Sequence, residues 1–534
     1  MLELEVSAST GPGNFRRRRT EAIPLAVDFD NVTAVSKTTA TLQVVSNPIL
    51  DKTYSPVASN LYQHLSELQA DLVRYAAWFP YPTIGVAELE PPDYKTKTTS
   101  WKFGEELTQM FMDVWKAVVR PLKGRLVITF STQPTWMFNT TEWGYSNDSS
   151  ASDWEYPKGN WIPPTTKLVA EYYARFASWL VLGSFQDEFG TTIDGGPALG
   201  LGSENGGVTH WEVFNEPEAE HSLNVWEYNS LYDAIVKEIR KAVDPKRTIE
   251  FFGMALANHN EWDWWKGFLN LTNHDPEARD AVANGFASFH FYARAPTRTN
   301  VSSFLVVWDH MERFLLEVDQ IIELRDMLSP TTKLAVNEAG VIPPDDNHKG
   351  VEDSPPLYYN MAAALYTVLL AELTVKGVDV VGSSQYCGCP EIPEWGINER
   401  QYPGVSMTNW TTGSGNPRYW ALKMYNAPGN FGPGDRIVHA RSLSSSDSSR
   451  LYVQGRITKE GQNLLLLVNK SYMPQIVTLP ASASKGVSYH VSVVDETTHD
   501  GPWKEFTTQS KTLTLKAFAV AVVRIENRQP EEEQ

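Results

Sequence analysis

The sequence predicts an α/β fold, a (β/α)8 TIM barrel with a C-terminal β-sandwich, and three observations carry that prediction. Between residues 40 and 430, eight short β-rich runs alternate with longer runs of helical period. Polar residues fit for chemistry recur at the C-terminal ends of several of those runs, as in a barrel; an open doubly wound sheet gathers them at one switch point. After YNAPGNFGPGD, residues 425–435, the pattern changes to period-two strands separated by Ser- and Gly-rich turns.

Taken in order, residues 1–21 are expected to be a flexible segment, and 22–36 a strand that joins the β-sandwich and ties the two ends of the chain together. The barrel spans 37–430, with strands expected at 41–46 (TLQVVS), 71–76 (DLVRYA), 126–131 (LVITFS), 208–214 (VTHWEVF), 248–253 (TIEFFG), 286–292 (FASFHFY), 333–337 (KLAVN) and 378–383 (VDVVGS). Between them, apolar residues repeat at helical spacing. Leu168, Tyr172, Phe176, Trp179, Leu180 and Gly183 mark a helix over 168–188, Val225 to Ile239 a second, and Leu357, Met361, Leu365, Val368 and Leu369 a third. The sandwich spans 431–527 and is expected to brace the barrel, because no Trp cluster stands out in its strands; 528–534 (RQPEEEQ) is expected to be a disordered tail.

Composition narrows the function. With 42% hydrophobic and 21% charged residues the chain is globular, and 18 tryptophans favour a flat-ringed ligand such as a sugar. A net charge of −18 repels nucleic acid; the basic run Arg16–Arg19 lacks interleaved aromatics and reads as a solvated tail. No apolar run approaches the ~18 residues of a membrane span. The two cysteines, in QYCGCPE, make neither a disulfide framework nor a zinc set. GLGSENGG at 200–207 precedes a strand, the wrong context for a phosphate loop. Sequons at Asn31, Asn139, Asn147, Asn270, Asn300, Asn409 and Asn469 tilt the expectation towards a secreted glycoprotein.

The chemistry sits at the strand ends. The fourth run ends in Asn215-Glu216-Pro217 and the seventh in Asn337-Glu338. In a barrel these two glutamates converge across the mouth, and a carboxylate pair is what glycoside hydrolysis needs: one acid to protonate the leaving oxygen, one carboxylate to attack or stabilise the anomeric centre. Arg74 at the second strand end would keep a nucleophilic carboxylate ionised. His290 and Tyr292, at the sixth, would bind hydroxyls or orient Glu338, and Trp136 after the third would stack on a pyranose. Each also has a plain structural use: an ion pair, a satisfied core histidine, loop packing. No cofactor is implied, since carboxylates suffice.

These stretches resemble a known family. HWEVFNEPEAEHSLNVWEYNSLYDAIVKEIRKAVDP, ASFHFYARA, KLAVNEAGV and GVSMTNWTTGSGNPRYWALKMYN occur in the order, and look like the motifs, of glycoside hydrolase family 39, of α-L-iduronidase and β-xylosidase type, within the retaining clan of (β/α)8 hydrolases. The resemblance implies that Glu216 is the acid/base, Glu338 the nucleophile and Asn215 the partner of the sugar 2-hydroxyl, supported by Arg74, His290 and Tyr292. NEAG and HFYARA are closer to the iduronidase-like branch, where Arg294 would read a uronic carboxylate, although a solvent-facing arginine fits equally. The eighth strand ends in SSQYCGC where clan members often place a tryptophan. The alternatives are another clan member acting on β-glucuronides or β-glucans, and a catalytically inactive sugar-binding barrel.

Overall fold

The computed structural model describes residues 22–77, 85–88, 90–101, 106–122, 124–130, 133–139, 160–161, 165–346, 354–393, 400–443, 449–480 and 487–527. The expected flexible segment 1–21 with its arginine run, the tail 528–534 and the sequon at Asn147 lie outside them.

Eight parallel strands close into a barrel in sequence order: Thr39–Val45, Leu72–Ala77, Arg125–Phe130, His210–Glu212, Glu250–Leu256, Phe286–Arg294, Lys333–Ile342 and Val380–Ser383. All eight expected runs are strands, so the barrel is the fold that the alternation predicts. A layer of inward side chains from the strand starts, Leu72, Val127, Phe252, Phe286, Ala335 and Val380, fills the closed end. The rings of Phe252 and Phe286 stack there with centroids 4.0 Å apart.

Two helices depart from the expected pattern. The first stripe forms Thr165–Leu182 and stops short of 188. Gly183 adopts φ +82, the left-handed conformation that ends a helix, and the chain turns into the small hairpin Ser184–Gln186/Thr192–Asp194. The helix Leu357–Lys376 is buried on nearly every face rather than on one stripe. It is covered twice, by barrel strands on one side and by the strands Asn463–Asn469 and Val520–Asn527 on the other.

The second sheet has nine strands, and Ile23–Val35 takes its place among them, antiparallel to Arg436–Ser442 and parallel to Gln475–Thr478. Ile23, Val477 and Leu513 share one core with Leu465, Leu467 and Val523 from distant strands of the same sheet, so it folds over on itself as a sandwich. Alternation explains why NLLLLVN is apolar throughout: Leu465 and Leu467 fill the sandwich, whereas Leu464, Leu466 and Val468 join the barrel core. Polar contacts lock the same seam, with Trp308 Nε1 donating to the Lys470 carbonyl at 2.9 Å and Gln454 Nε2 to the Ala371 carbonyl at 3.2 Å. Asn469, at the end of that strand, is 0% exposed and its amide donates to the carbonyls of Met473, Leu515 and Lys516. That sequon is therefore a buried bracket, closed to glycan attachment in the folded chain.

Candidate active site

The fourth barrel strand is short because its exit is built from unusual backbone. Phe214 and Glu216 both adopt positive φ, +65 and +41, and on the next strand Met254 and Ala255 do the same at +76 and +44. Non-glycine residues hold such conformations only where the surroundings over-determine them. Here the Glu216 N–H donates to the Ala255 carbonyl at 3.0 Å, and the Ala255 N–H to Ser288 Oγ at 3.1 Å. Pro217 then opens the one-turn helix Pro217–Glu220, where a missing N–H costs nothing. The strain and the proline together turn Glu216 out over the barrel mouth.

Glu338 is aimed by a different device. Between the sixth and seventh strands the register slips by one residue, from Phe289 opposite Val336 to His290 opposite Glu338. This bulge lets two consecutive residues both reach groups inside the barrel, which a regular strand forbids. Asn337 Nδ2 donates to Glu212 at 2.6 Å, while Glu338 meets Arg74 and Tyr292.

Arg74, 2% exposed, is the hub. Its Nε donates to Glu212 Oε2 at 2.5 Å, Nη1 to Glu338 Oε1 at 2.5 Å and to Gln43 Oε1, and Nη2 to Asn215 Oδ1 at 2.7 Å. Glu212 has no exposed surface and also accepts from Thr129, Ser288 and Asn337, so its buried charge is fully solvated by protein. Glu338 receives a second donor from the Tyr292 hydroxyl at 2.6 Å, which in turn lies 2.6 Å from Ser384 Oγ. His290, fully buried, places Nδ1 2.7 Å from Glu216 Oε1 and 3.6 Å from Glu338 Oε2.

Charge balance follows from this geometry. Burial opposes ionisation of Glu338, but the His290 and Arg74 charges beside it outweigh that cost and hold its carboxyl below the usual range. Burial likewise opposes a charged His290, and Glu338 and Glu216 overcome it and raise the imidazole above its usual value. Glu216, His290 and Glu338 offer atoms that all lie within 4.8 Å of one another, a spacing that also suits a small cation. The Arg74 guanidinium already supplies positive charge against Glu338.

A cavity of about 430 Å³ opens over this constellation, lined by Arg74, Asn215, Glu216, Tyr292 and Glu338, with His290 beneath and Arg294 exposed at the edge. Trp136 is not among its lining residues; its indole donates to the Glu88 carbonyl at 2.9 Å and its ring packs on the main core, so the expected stacking position is not where this side chain stands. Sequence reasoning missed Gln43, Glu220, Asn258, His259, Ser384, Gln385 and Tyr402, all at the cavity wall. Glu212 was missed too, although a carboxylate inside the apolar run HWEVF was a visible signal. Asn215 Nδ2 donates to Glu220 at 2.9 Å, which together with the Arg74 bond fixes the orientation of its amide.

No family model matches the sequence, and no curated protein matches it. Solved structures do. The chain is similar to a glycoside hydrolase family 51 arabinofuranosidase from Xanthomonas axonopodis pv. citri, with a TM-score of 0.58 and 11% identity over 95% of this chain and 100% of that one. It is similar to a glucosidase from Croceicoccus marinus, with a TM-score of 0.56 and 12% identity over 95% and 100%. A family 30 subfamily 8 xylanase from Clostridium acetobutylicum gives a TM-score of 0.54 and 13% identity over 94% and 100%. At these identities the likeness is one of fold, the (β/α)8 barrel carrying a β-sandwich.

The site makes a stability prediction. His290 is raised above its ordinary 6.5, so its contribution is complete below that pH and is lost as pH rises through the folded-state value; Glu338 is lowered from 4.5, so its contribution is present above 4.5 and lost as pH falls through its folded-state value. The difference in Tm between the wild type and His290→Gln should therefore shrink as pH rises above 6.5. A difference that stays constant from pH 5 to 9, on the order of this whole window, would show that the imidazole is not held charged.

Proposed function

We propose that the protein is a retaining glycoside hydrolase that cleaves plant, microbial or matrix polysaccharides or oligosaccharides by double displacement. The observation that carries this reading is the approach of Glu216 and Glu338, from the fourth and seventh strand ends, to within 4.8 Å at their nearest ligand atoms. Retaining enzymes hold their carboxyl groups ~5 Å apart, whereas inverting ones need ~6.5–9.5 Å to admit a water. Family 39 membership, on the motifs quoted above, is part of the proposal.

In the first step the Glu216 carboxyl protonates the glycosidic oxygen while the Glu338 carboxylate attacks the anomeric carbon. The C–O bond breaks, the alcohol leaves, and a glycosyl ester forms on Glu338. In the second step Glu216, now a carboxylate, takes a proton from water, whose oxygen displaces Glu338 and restores the original anomeric configuration. Arg74 and Tyr292 keep Glu338 ionised and oriented, and His290 holds one Glu216 oxygen so that the other faces the leaving group. Asn215 presents its amide to the sugar 2-hydroxyl. Extracellular localisation belongs to the same proposal, with Asn31 and Asn300 exposed as acceptors.

Glu216→Gln and Glu338→Gln should each lower turnover of an aryl glycoside by about 10³-fold or more, with the folded circular dichroism spectrum retained. Near-normal turnover in either variant would refute the assignment.

Arg294 extends the proposal to the substrate: exposed at the cavity edge, with no ion-pair partner among the described residues, it is placed to pair with a carboxylate on the sugar. Arg294→Ala should then reduce kcat/KM for aryl uronides by about 10-fold relative to the neutral glycosides, a charge-assisted hydrogen bond being worth ~1.5–3 kcal/mol. An equal loss on both classes would remove Arg294 from recognition.

A further inference from the structure

A second cavity, of about 280 Å³, lies between the loop that follows the eighth barrel strand and the sandwich turn around residues 495–501. Its chemistry is unlike a packing defect. Asn360, in the first turn of Leu357–Lys376, is 2% exposed, and its Nδ2 has no hydrogen-bond partner among the described residues. Ser354 Oγ, also at the wall, is buried without a partner in the same way. Buried donors without a protein partner are costly unless water or a ligand completes them, and here two of them face one cavity.

The rest of the wall says what kind of molecule would do so. Trp410 and Tyr359 contribute aromatic surface, Asn409 an amide, and Asp500 an exposed carboxylate on the sandwich side. A flat apolar face beside neutral donors and a carboxylate acceptor matches a sugar ring, which carries C–H groups on one face and hydroxyls around its rim. The carboxylate disfavours an anion. Gly388, of QYCGCPE, permits the wall to form: a Cβ there would meet the Gln401 carbonyl at 2.3 Å, Ser406 Oγ at 2.6 Å and Trp410 Cζ3 at 3.3 Å.

The same loop serves both cavities. Tyr402 and Val405 line the catalytic one, and Ser406, Thr408, Asn409 and Trp410 line the second. The loop is pinned at the boundary, where Ser406 Oγ accepts from the Gly388 N–H at 2.6 Å and the Ser406 carbonyl from Asn416 Nδ2 at 2.7 Å.

We propose that the Trp410–Asn360–Asp500 cavity is a second carbohydrate site that binds a neutral sugar residue of a polymeric glycan. That the glycan is also the substrate rests on the glycosidase reading above; binding itself does not. The test is affinity electrophoresis of Glu338→Gln, made in a host that attaches no N-glycans, through gels containing soluble xylan or mixed-linkage β-glucan. Trp410→Ala, Asn360→Ala and Asp500→Ala are added singly. Asp500 is exposed, so its variant keeps the fold even if the other two do not.

At least one polymer should retard the parent, and each added change should weaken that retardation about 5-fold or more. The same changes in the active chain should leave kcat/KM on a small aryl glycoside within about 2-fold. No retardation of the parent, or retardation indifferent to Asp500→Ala and Asn360→Ala, overturns the proposal while leaving the hydrolase reading intact. Retardation that depends on all three residues, together with a wild-type chain that cleaves no glycoside, would sustain the site and sink the hydrolase.

Discussion

A guanidinium sealed inside a barrel between two carboxylates governs most of what lies around it. Arg74 pairs with Glu212 below and Glu338 above, and each charge is sustainable only because the others are there. Removing one partner from such a buried set typically costs ~3–5 kcal/mol, because it strands the remaining charge. Glu212 is thus the counterweight that lets one arginine hold Glu338 ionised while a second carboxylate balances the site. Gln43 and Asn215 take two further donors of the fork, so the guanidinium plane is fixed, and with it the position of the carboxylate that it presents to the cavity.

Around that hub the backbone departs from regular geometry at several strand exits, among them those that carry Glu216 and Glu338. Four positive-φ residues cluster at the exits of the fourth and fifth strands, and a bulge sits at the seventh. Such conformations persist only in rigid surroundings. The remainder of the molecule supplies them: a closed barrel filled at its far end by Leu72, Phe252 and Phe286, and a helix, Leu357–Lys376, clamped between barrel and sandwich. The sandwich adds apolar cover to this helix and a wall to the second cavity, so its packing bears on both sites.

The eight strands, the barrel they close and the meeting of Glu216 with Glu338 were legible in the sequence, because burial on both faces writes continuous apolar runs and chemistry writes polar residues at their ends. Arg74, His290 and Tyr292 were legible for the same reason. What stayed hidden depends on contacts between distant segments. Gln43 and Ser384 look like ordinary strand residues until Arg74 and Tyr292 reach them. Trp136 carried the right side chain for stacking, yet its indole found the Glu88 carbonyl instead. Gly183 sat at helical spacing in the apolar stripe, but its left-handed backbone ends the helix. The single apolar stripe read on 357–369 understated the helix, since a second cover from the far end of the chain cannot be inferred from local period.

In the proposed double displacement, Glu338 forms a covalent bond to the sugar while Glu216 handles the proton. This division of roles is tested most directly by incubating the protein with 2-deoxy-2-fluoro glycosyl fluorides of the xylo, gluco, galacto, glucurono and idurono series and mapping any adduct by peptide mass spectrometry. The account predicts a stable glycosyl ester on Glu338 from at least one of them, and the sugar that labels names the specificity. An adduct on another residue, or turnover that yields the inverted anomer with Glu338 unlabelled, would contradict it.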